Sequence, residues 1–263
     1  MRSLRLIRSF IQASAQQELA YRADFFISLL HSLLNFGAGV LGVVVIFGQV
    51  DSLRGWDFPA TLALLGVYLV VSALRGLFIG PSLESMAGME GEVWTGRFDF
   101  TLLRPVPAQF LASFRHWRLF ALFDLALGLL VIGAALAQPG HSPSPLQLLA
   151  FFLALSAGVV ILYAILLAST ALVFISPGFL FTWVFDGVFQ MARYPLGLYP
   201  GWARLVLTWI IPVGLITTVP AQALTDQLAL PALLGIVAMA AVLVTGASLL
   251  FKWGLVRYHS ASS

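Results

Sequence analysis

Three ionisable residues lie inside long apolar stretches of this sequence: Arg75, Asp124 and Asp186. Charged side chains at membrane depth are rare, and they mark ion pairs, proton paths or binding sites. With the rise of an α-helix, each of the three residues lies about 8–11 Å from the end of its stretch that is predicted to face the cytoplasm. We therefore expect the three in one layer, either as a structural arginine–carboxylate pair or as groups that act directly on a substrate or a proton.

The sequence contains no assembled catalytic constellation. Metal-dependent phosphotransfer from a helix needs several aspartates at helical spacing, but the acidic residue after Asp186 is the distant Asp226. There is no cysteine, the four histidines lack metal-ligand spacing, and no GxxxxGK[ST] phosphate loop is present. We predict no catalytic residue, metal site or cofactor on this chain. If ATP drives the protein, ATP and Mg²⁺ bind to a partner chain.

Membrane helices must position these residues. The 263-residue chain is 60% apolar and 10% charged, which leaves too little polar surface for a soluble protein of this size. Its apolar runs have helix length, about 20 residues, and lack the alternation of a membrane barrel. We predict an all-α integral membrane protein with a single transmembrane domain over residues 1–263. The six predicted spans are 25–48, 59–80, 117–137, 146–175, 179–194 and 232–251.

A proline-rich segment, residues 195–231, separates the last two spans. Its apolar part is shorter than a span and is interrupted by Pro212, and such backbone is tolerated at membrane depth only against protein or a cavity. A seventh span would move Lys252 and Arg257 to the outer side, against the positive-inside rule. We therefore predict an extracellular re-entrant pair of half-helices and cytoplasmic termini. The net charge of +3 comes mostly from arginines that flank spans, so it indicates topology and predicts no nucleic-acid binding.

Residues 1–24 combine basic side chains with a helical apolar face. Leu4, Ile7 and Ile11 fall on one side, with Arg5 and Arg8 opposite. This pattern predicts an interfacial amphipathic helix on the inner leaflet. A basic tail that only sets topology is the alternative.

The longest polar interruption, residues 81–109, lies on the same predicted cytoplasmic side. Glycines at 88, 91 and 96 interrupt its helical pattern, so we expect one or two short surface helices. Mixed charge beside aromatic residues suits docking into a groove of a soluble partner, and a solvated connector is the alternative. The candidate partner-binding residues are Glu84, Glu90, Glu92, Trp94, Arg97, Asp99 and Arg104.

Aromatic and small residues give two weaker signals. Phe181, Phe185 and Phe189 on the fifth span are candidates to line a pathway for an apolar substrate, and ordinary packing or a lipid-facing surface is the alternative. Small residues permit close approach of helices in a membrane. The glycines at such positions are Gly37, Gly39, Gly42, Gly128 and Gly133.

Two parts of the chain resemble one family. The string Gly96-Arg-Phe-Asp-Phe-Thr-Leu-Leu-Arg104-Pro105 resembles the signature that follows the second span in ABC-2-type permeases, in the six-span branch of this chain's length. Arg193-Tyr-Pro195, Tyr199-Pro200, Ile211-Pro212 and Pro220-Ala221 resemble the extracellular re-entrant region of the same branch.

The resemblance implies a function that spacing alone does not give. Such permeases pair with the same or a second permease chain above a cytoplasmic dimer of ABC ATPases. The interfacial helix and a coupling helix between spans 2 and 3 contact the ATPases, and ATP-driven closure reorients the spans for export. The chain would then be a non-enzymatic export subunit in the bacterial inner membrane. The rival reading is an ion-coupled transporter or channel that uses Asp124, Asp186 and Arg75.

Overall fold

The protein is helical throughout the part of the chain that the structure describes. The computed structural model describes residues 2–20, 22–88, 90–138, 143–176 and 181–258, and these ranges contain helices and turns without a β-strand. The predicted all-α class is confirmed. In chain order the helices are α1 (Arg2–Ala20), α2 (Arg22–Phe47), α3 (Phe58–Leu74), α4 (Gly80–Glu84), α5 (Phe98–Leu102), α6 (Ala108–Phe114), α7 (Ala121–Leu136), α8 (Pro145–Val173), α9 (Phe181–Met191), α10 (Gly201–Leu205), α11 (Val213–Leu224) and α12 (Leu230–Val256).

Four helical segments are long and apolar enough to cross a membrane. They are Phe25–Phe47 within α2, Phe58–Glu84 from α3 through α4, and the whole of α8 and α12. A fifth is formed if Gly201–Ile210 and Val213–Leu224 count together, and these two helices are bent by 90° as a broken span or a re-entrant loop.

Two of the six predicted spans are shorter helices in the structure. Residues 117–137 correspond to α7, which has 16 residues and begins only at Ala121, because the preceding residues bind α1 and α4. Residues 179–194 correspond to α9, which has 11 residues, and the start of that predicted span lies outside the described residues. The membrane fold is established, with four or five helices of spanning length in the described ranges.

The centre of the fold is α3. In its most apolar window 72% of residues are buried, compared with 11% in the corresponding window of α2. The α3 sequence is apolar on all sides, which suits a helix surrounded by others, and it packs against α2, α7, α8 and α11. The exposed surface of α2 is left for lipid or for another chain.

The segment after α9 folds back into the helix bundle. A Cβ atom at Gly158, near the middle of α8, would lie 2.8 Å from the carbonyl oxygen of Ile216, so α11 lies directly on α8 there. At the other end of α11, Asp226 accepts a hydrogen bond of 2.7 Å from Gln147 at the start of α8. Helix α11 therefore runs from the middle of α8 to one end of it, as a re-entrant half-helix would.

Glycine allows α3 and α7 to cross in close contact. A Cβ at Gly66 would lie 2.6 Å from Cγ1 of Ile132, and a Cβ at Gly128 would lie 2.8 Å from the backbone nitrogen of Val70. Of the glycines noted in the sequence, Gly128 therefore marks a close approach. Gly133 faces open space, as does Gly37.

Substitution at these two glycines of α7 tests the crossing. Gly128→Ala should destabilise the protein by about 1–3 kcal/mol, because the added methyl group must push two backbones apart. Gly133→Ala is the matched control and should be neutral or slightly stabilising. Thermal unfolding in a mild detergent measures both, and equal midpoints for the two variants would contradict the assigned crossing.

Candidate functional site

Arg75 joins two carboxylates from different parts of the chain. Its Nη2 lies 2.6 Å from Oε1 of Glu84 and its Nη1 lies 2.6 Å from Oδ1 of Asp186. The guanidinium carbon also lies 5.1 Å from the ring centroid of Phe185 and 5.9 Å from that of Phe189. A cation at membrane depth is stabilised by paired carboxylates and by aromatic faces. Arg75 thus links α3, α4 and α9.

A π-helical turn, Arg75–Ile79, makes the pairing with Glu84 possible. In a continuous α-helix, residues nine positions apart lie two and a half turns apart, on opposite sides. The π turn bonds each residue to the fifth one along and so accommodates one more residue in the turn. The amide of Gly80 donates to the carbonyl of Arg75. This rotation brings Glu84 towards the face that carries Arg75.

Asp124 lies apart from this ion pair. It lines a cavity of about 170 Å³ between α2, α3 and α7, together with polar residues of α2 and with Ser72 of α3. The polar lining residues are His31, Ser32, Asn35, Ser72 and Asp124. The structure therefore brings together Arg75 and Asp186 of the three charges noted in the sequence, and it places Asp124 at a separate polar cavity.

Two aromatic residues of α9, Phe185 and Phe189, are packed inside the protein, whereas Trp183 is 80% exposed. Phe185 and Phe189 are buried, with ring centroids 5.6 Å apart, and Phe189 packs on Tyr68 of α3 at 5.3 Å. The side chain of Phe181 lies outside what the structure describes. In this conformation Phe185 and Phe189 support Arg75 and do not face an open passage.

Sequence reasoning missed Arg193 as a membrane-depth charge. It lies in the turn after α9, where its Nη2 donates to Oδ1 of Asn35 at 2.8 Å and its guanidinium carbon lies 5.2 Å from the Tyr68 ring centroid. The signal was available, since Arg193 lies inside the predicted span 179–194 and seven residues after Asp186, on the same helical face.

The polar loop is a folded element. Arg115 pairs with Glu92 at 3.1 Å and donates to the hydroxyl of Thr101 at 3.3 Å. Beyond the end of α12, the hydroxyl of Tyr258 donates to Asp99 of the loop at 3.0 Å. Burial and this carboxylate raise the pKa of Tyr258 to about 12. These contacts exclude a merely solvated connector for this part of the chain.

The residues just before α7 are also bound to α1. The hydroxyl of Ser14 accepts from the amide of Trp117 at 3.1 Å, and Oε1 of Glu18 accepts from the amide of Leu119 at 2.8 Å. Burial raises the pKa of Glu18, although its hydrogen bonds to the amides of Leu119 and Phe120 act in the opposite direction. Helix α1 therefore holds the start of α7, and between α4 and α7 the chain forms turns and two short helices, α5 and α6.

Apolar side chains cover part of the loop surface. Trp94, Phe100 and Leu103 are 48%, 68% and 81% exposed. They lie in or beside an open groove of about 590 Å³ whose lining includes Phe100, Arg97 and Arg104. Phe100 and Leu103 were absent from the predicted contact set, although both lie inside the string from Gly96 to Pro105 that carries the family resemblance.

The seven candidate partner-binding residues therefore divide into two groups. Three are carboxylates that bind an internal side chain: Glu84 pairs with Arg75, Glu92 with Arg115, and Asp99 with Tyr258. The other four present exposed side chains at the groove or beside it. These four are Glu90, Trp94, Arg97 and Arg104. Within the described ranges, no group of three or more His, Cys, Asp or Glu residues could hold a metal ion.

The apolar helices, the charges at membrane depth and the folded polar loop define a multi-pass membrane protein as the class. The profile of the family described as ABC-2 family transporter protein matches residues 33–262, and the chain belongs to that family. It is thus a permease, the membrane component of an ABC transporter, and the family predicted from the loop signature is confirmed. Comparisons with curated proteins and with solved structures gave no match.

Removal of the Arg75 charge should destabilise the protein. Arg75→Gln leaves Glu84 and Asp186 close together without a cation, and we expect a loss of about 3 kcal/mol, the lower end of the range for a broken buried pair, because Asp186 is 44% exposed. Arg204→Gln, at an exposed arginine, is the matched control. Thermal unfolding measures the effect, and adding Glu84→Gln and Asp186→Asn to Arg75→Gln should restore part of it. An unchanged midpoint for Arg75→Gln would contradict a structural role.

His116 should make the loop sensitive to mild acid. Burial lowers the pKa of His116 below 6.5, Arg115 acts in the same direction, and Nδ1 of His116 is buried without a partner among the described residues. Between that lowered pKa and 6.5, the unfolded chain binds a proton that the folded chain does not, so the free energy of unfolding decreases as the pH falls.

The measurement compares wild type with His116→Asn between about pH 7.5 and pH 5.5. The wild type should lose more stability than the variant over this interval, as judged by thermal midpoints. Parallel curves for the two proteins would show that His116 is not the titrating group.

Proposed function

We propose that this chain is the permease subunit of an ATP-driven ABC exporter, with a cytoplasmic ABC ATPase dimer bound to the surface formed by residues 81–120. ATP and Mg²⁺ bind to the ATPases, and this chain supplies the passage through the bilayer. The observation that carries the proposal is the exposed apolar surface of a loop that is otherwise fixed by internal ion pairs.

Trp94, Phe100 and Leu103 have the composition of a binding anchor. Exposed aromatic and aliphatic groups next to charged ones are typical of protein interfaces, and aromatic residues often carry most of the binding energy. The rim here is charged, with Glu90, Arg97 and Arg104 at the groove. A soluble partner that covers this patch would bury its apolar groups and keep its charges at the edge.

The ion pairs offer a path for motion from this surface into the membrane. Glu84 ends α4, immediately before the loop, and Arg75 connects it to Asp186 of α9. The residues just before α7, at the end of the proposed docking surface, are also bound to α1 through Ser14 and Glu18. A displacement of the loop by the ATPases would therefore act on α9 and on α1 together.

The remaining assignments are part of the same proposal. The protein would lie in the plasma membrane, the inner membrane of a bacterium, with both termini and the loop in the cytoplasm. The little-buried α2 would face lipid or a second permease chain, the same or homologous. The chain would have no catalytic activity of its own.

The polar cavity around Asp124 favours a second candidate, an ion-coupled transporter or channel. A carboxylate beside an imidazole inside a membrane can carry a proton. Asp186 and Arg75 would then act as a second charged station. This candidate predicts transport by the purified chain in liposomes without any ATPase.

Substitution at matched tryptophans tests the docking surface. Trp94→Ser should greatly reduce recovery of an ATPase with the tagged permease from native membranes, because it removes an apolar anchor that costs roughly 2 kcal/mol or more when truncated. Trp202→Ser, at a residue 71% exposed on α10, is the control and should leave recovery unchanged. Mass spectrometry of the mild-detergent pull-down measures the ratio of ATPase to permease.

Two outcomes would count against the proposal. If Trp94→Ser and Trp202→Ser recovered the ATPase equally, docking at this surface would be wrong. If wild type recovered no ATPase and transported in liposomes without ATP, the ion-coupled candidate would replace the exporter.

A further inference from the structure

The two arginines that flank the aromatic stack of α9 have unequal partners. Arg75 contacts two carboxylates. Arg193 contacts the amide oxygen of Asn35 and the face of Tyr68, which are both uncharged. Among the described residues no carboxylate lies within 4 Å of Arg193, and its Nε is buried without a hydrogen-bond partner.

Arg193 lies near the middle of the membrane span. Asn35, its partner, is ten residues after Phe25 and twelve before Phe47 in the apolar segment of α2, or about 15 Å and 18 Å from the two ends at 1.5 Å per residue. Tyr68 is likewise far from both ends of Phe58–Glu84. The following residue, Tyr194, reaches α2 at Gly42, so the whole turn is held against α2.

An unpaired cation at this depth would be stabilised by a bound anion. A charge in hydrocarbon is costly unless it is paired, and the partial negative charge at the end of a helix such as α9 compensates only part of it. The planar guanidinium binds carboxylate or phosphate through two parallel hydrogen bonds. The Nε of Arg193 has no hydrogen-bond partner in the described chain.

We propose that Arg193 and Asn35 form a binding site for the anionic group of an amphiphilic substrate, a carboxylate or a phosphate ester carried on an apolar chain. This rests on the proposed function, because an anion at mid-depth is a group in transit. The site is open at the surface of α2, where Asn35 is exposed and where Leu34 and Leu41 are exposed as well. An acyl chain can lie on these leucines while its head binds Arg193.

Polar groups continue from this site towards the predicted cytoplasmic side. His31 and Ser32 precede Asn35 by about one helical turn and share its cavity with Ser72, whose hydroxyl is buried without a partner in the described chain. Asp124 lines the same cavity, so an anionic head that enters from the predicted cytoplasmic side would meet hydrogen-bond donors and one carboxylate before it reaches Arg193.

The experiment measures binding to the purified permease alone, by its thermal unfolding in a neutral detergent. The probes are dodecyl phosphate, dodecanoate, dodecyltrimethylammonium and inorganic phosphate. The two anionic amphiphiles should raise the midpoint of wild type, and neither the cationic amphiphile nor inorganic phosphate should do so. In Arg193→Gln the anionic amphiphiles should bind roughly tenfold or more weakly, as expected for the loss of a charged hydrogen bond. Arg204→Gln should bind them like wild type.

Asn35→Asp provides a second variant that does not depend on the folding of Arg193→Gln. It places a carboxylate where Arg193 already has a partner, so it should raise the midpoint without ligand and abolish the shift with dodecyl phosphate. An undiminished shift in Asn35→Asp or in Arg193→Gln would overturn the site. An equal shift from inorganic phosphate would assign it to a free anion and overturn the amphiphile.

The inference and the proposed function fail separately. Ligand shifts are measured without an ATPase, whereas the proposed function depends on recovery of an ATPase. If wild type recovered no ATPase but showed an Arg193-dependent shift, the anion site would stand and the exporter would fall. If Asn35→Asp kept the ATPase and kept its ligand shift, the exporter would stand and the site would fall.

Discussion

A guanidinium in the apolar part of a membrane protein is costly unless an opposite charge lies close to it, and the pairing of Arg75 with two carboxylates fixes the arrangement of three elements. Glu84 reaches it only because the helix widens into a π turn. Asp186 reaches it only if α9 lies against α3, where the buried Phe185 and Phe189 pack. The polar loop, which starts just after Glu84, is positioned by the same charge.

The loop combines two roles in neighbouring residues. Glu92, Phe98 and Thr101 point inward and build a small interior with Arg115, while Phe100 and Leu103 point outward. Short helices interrupted by glycine make this possible, because each change of direction exposes a different face. A single long coupling helix would offer one continuous surface instead. Internal ion pairs therefore hold the loop in one folded shape, and its defined external surface depends on them.

Much of the fold could be predicted from the sequence because the length of each apolar segment indicates whether it can cross a membrane. The apolar runs of α2, α8 and α12 have the length of a membrane crossing. A carboxylate partner of Arg75 was one of the alternatives that the sequence offered, since an unpaired charge is costly at membrane depth. Glu84 could not be assigned that role, because its spacing from Arg75 suits opposite faces of an α-helix. Nor could the late start of α7, which depends on contacts with Glu18 about a hundred residues earlier.

The bond between Glu18 and the start of α7 spans 101 positions of the chain. During synthesis, α1 leaves the ribosome long before Leu119 is added to the chain. The carboxylate of Glu18 therefore lacks this partner until the chain has been made as far as Leu119. The bond between α1 and the start of α7 thus forms late, although α1 is made first. Assembly of this side of the protein would be complete only after Tyr258, the partner of Asp99, has been synthesised.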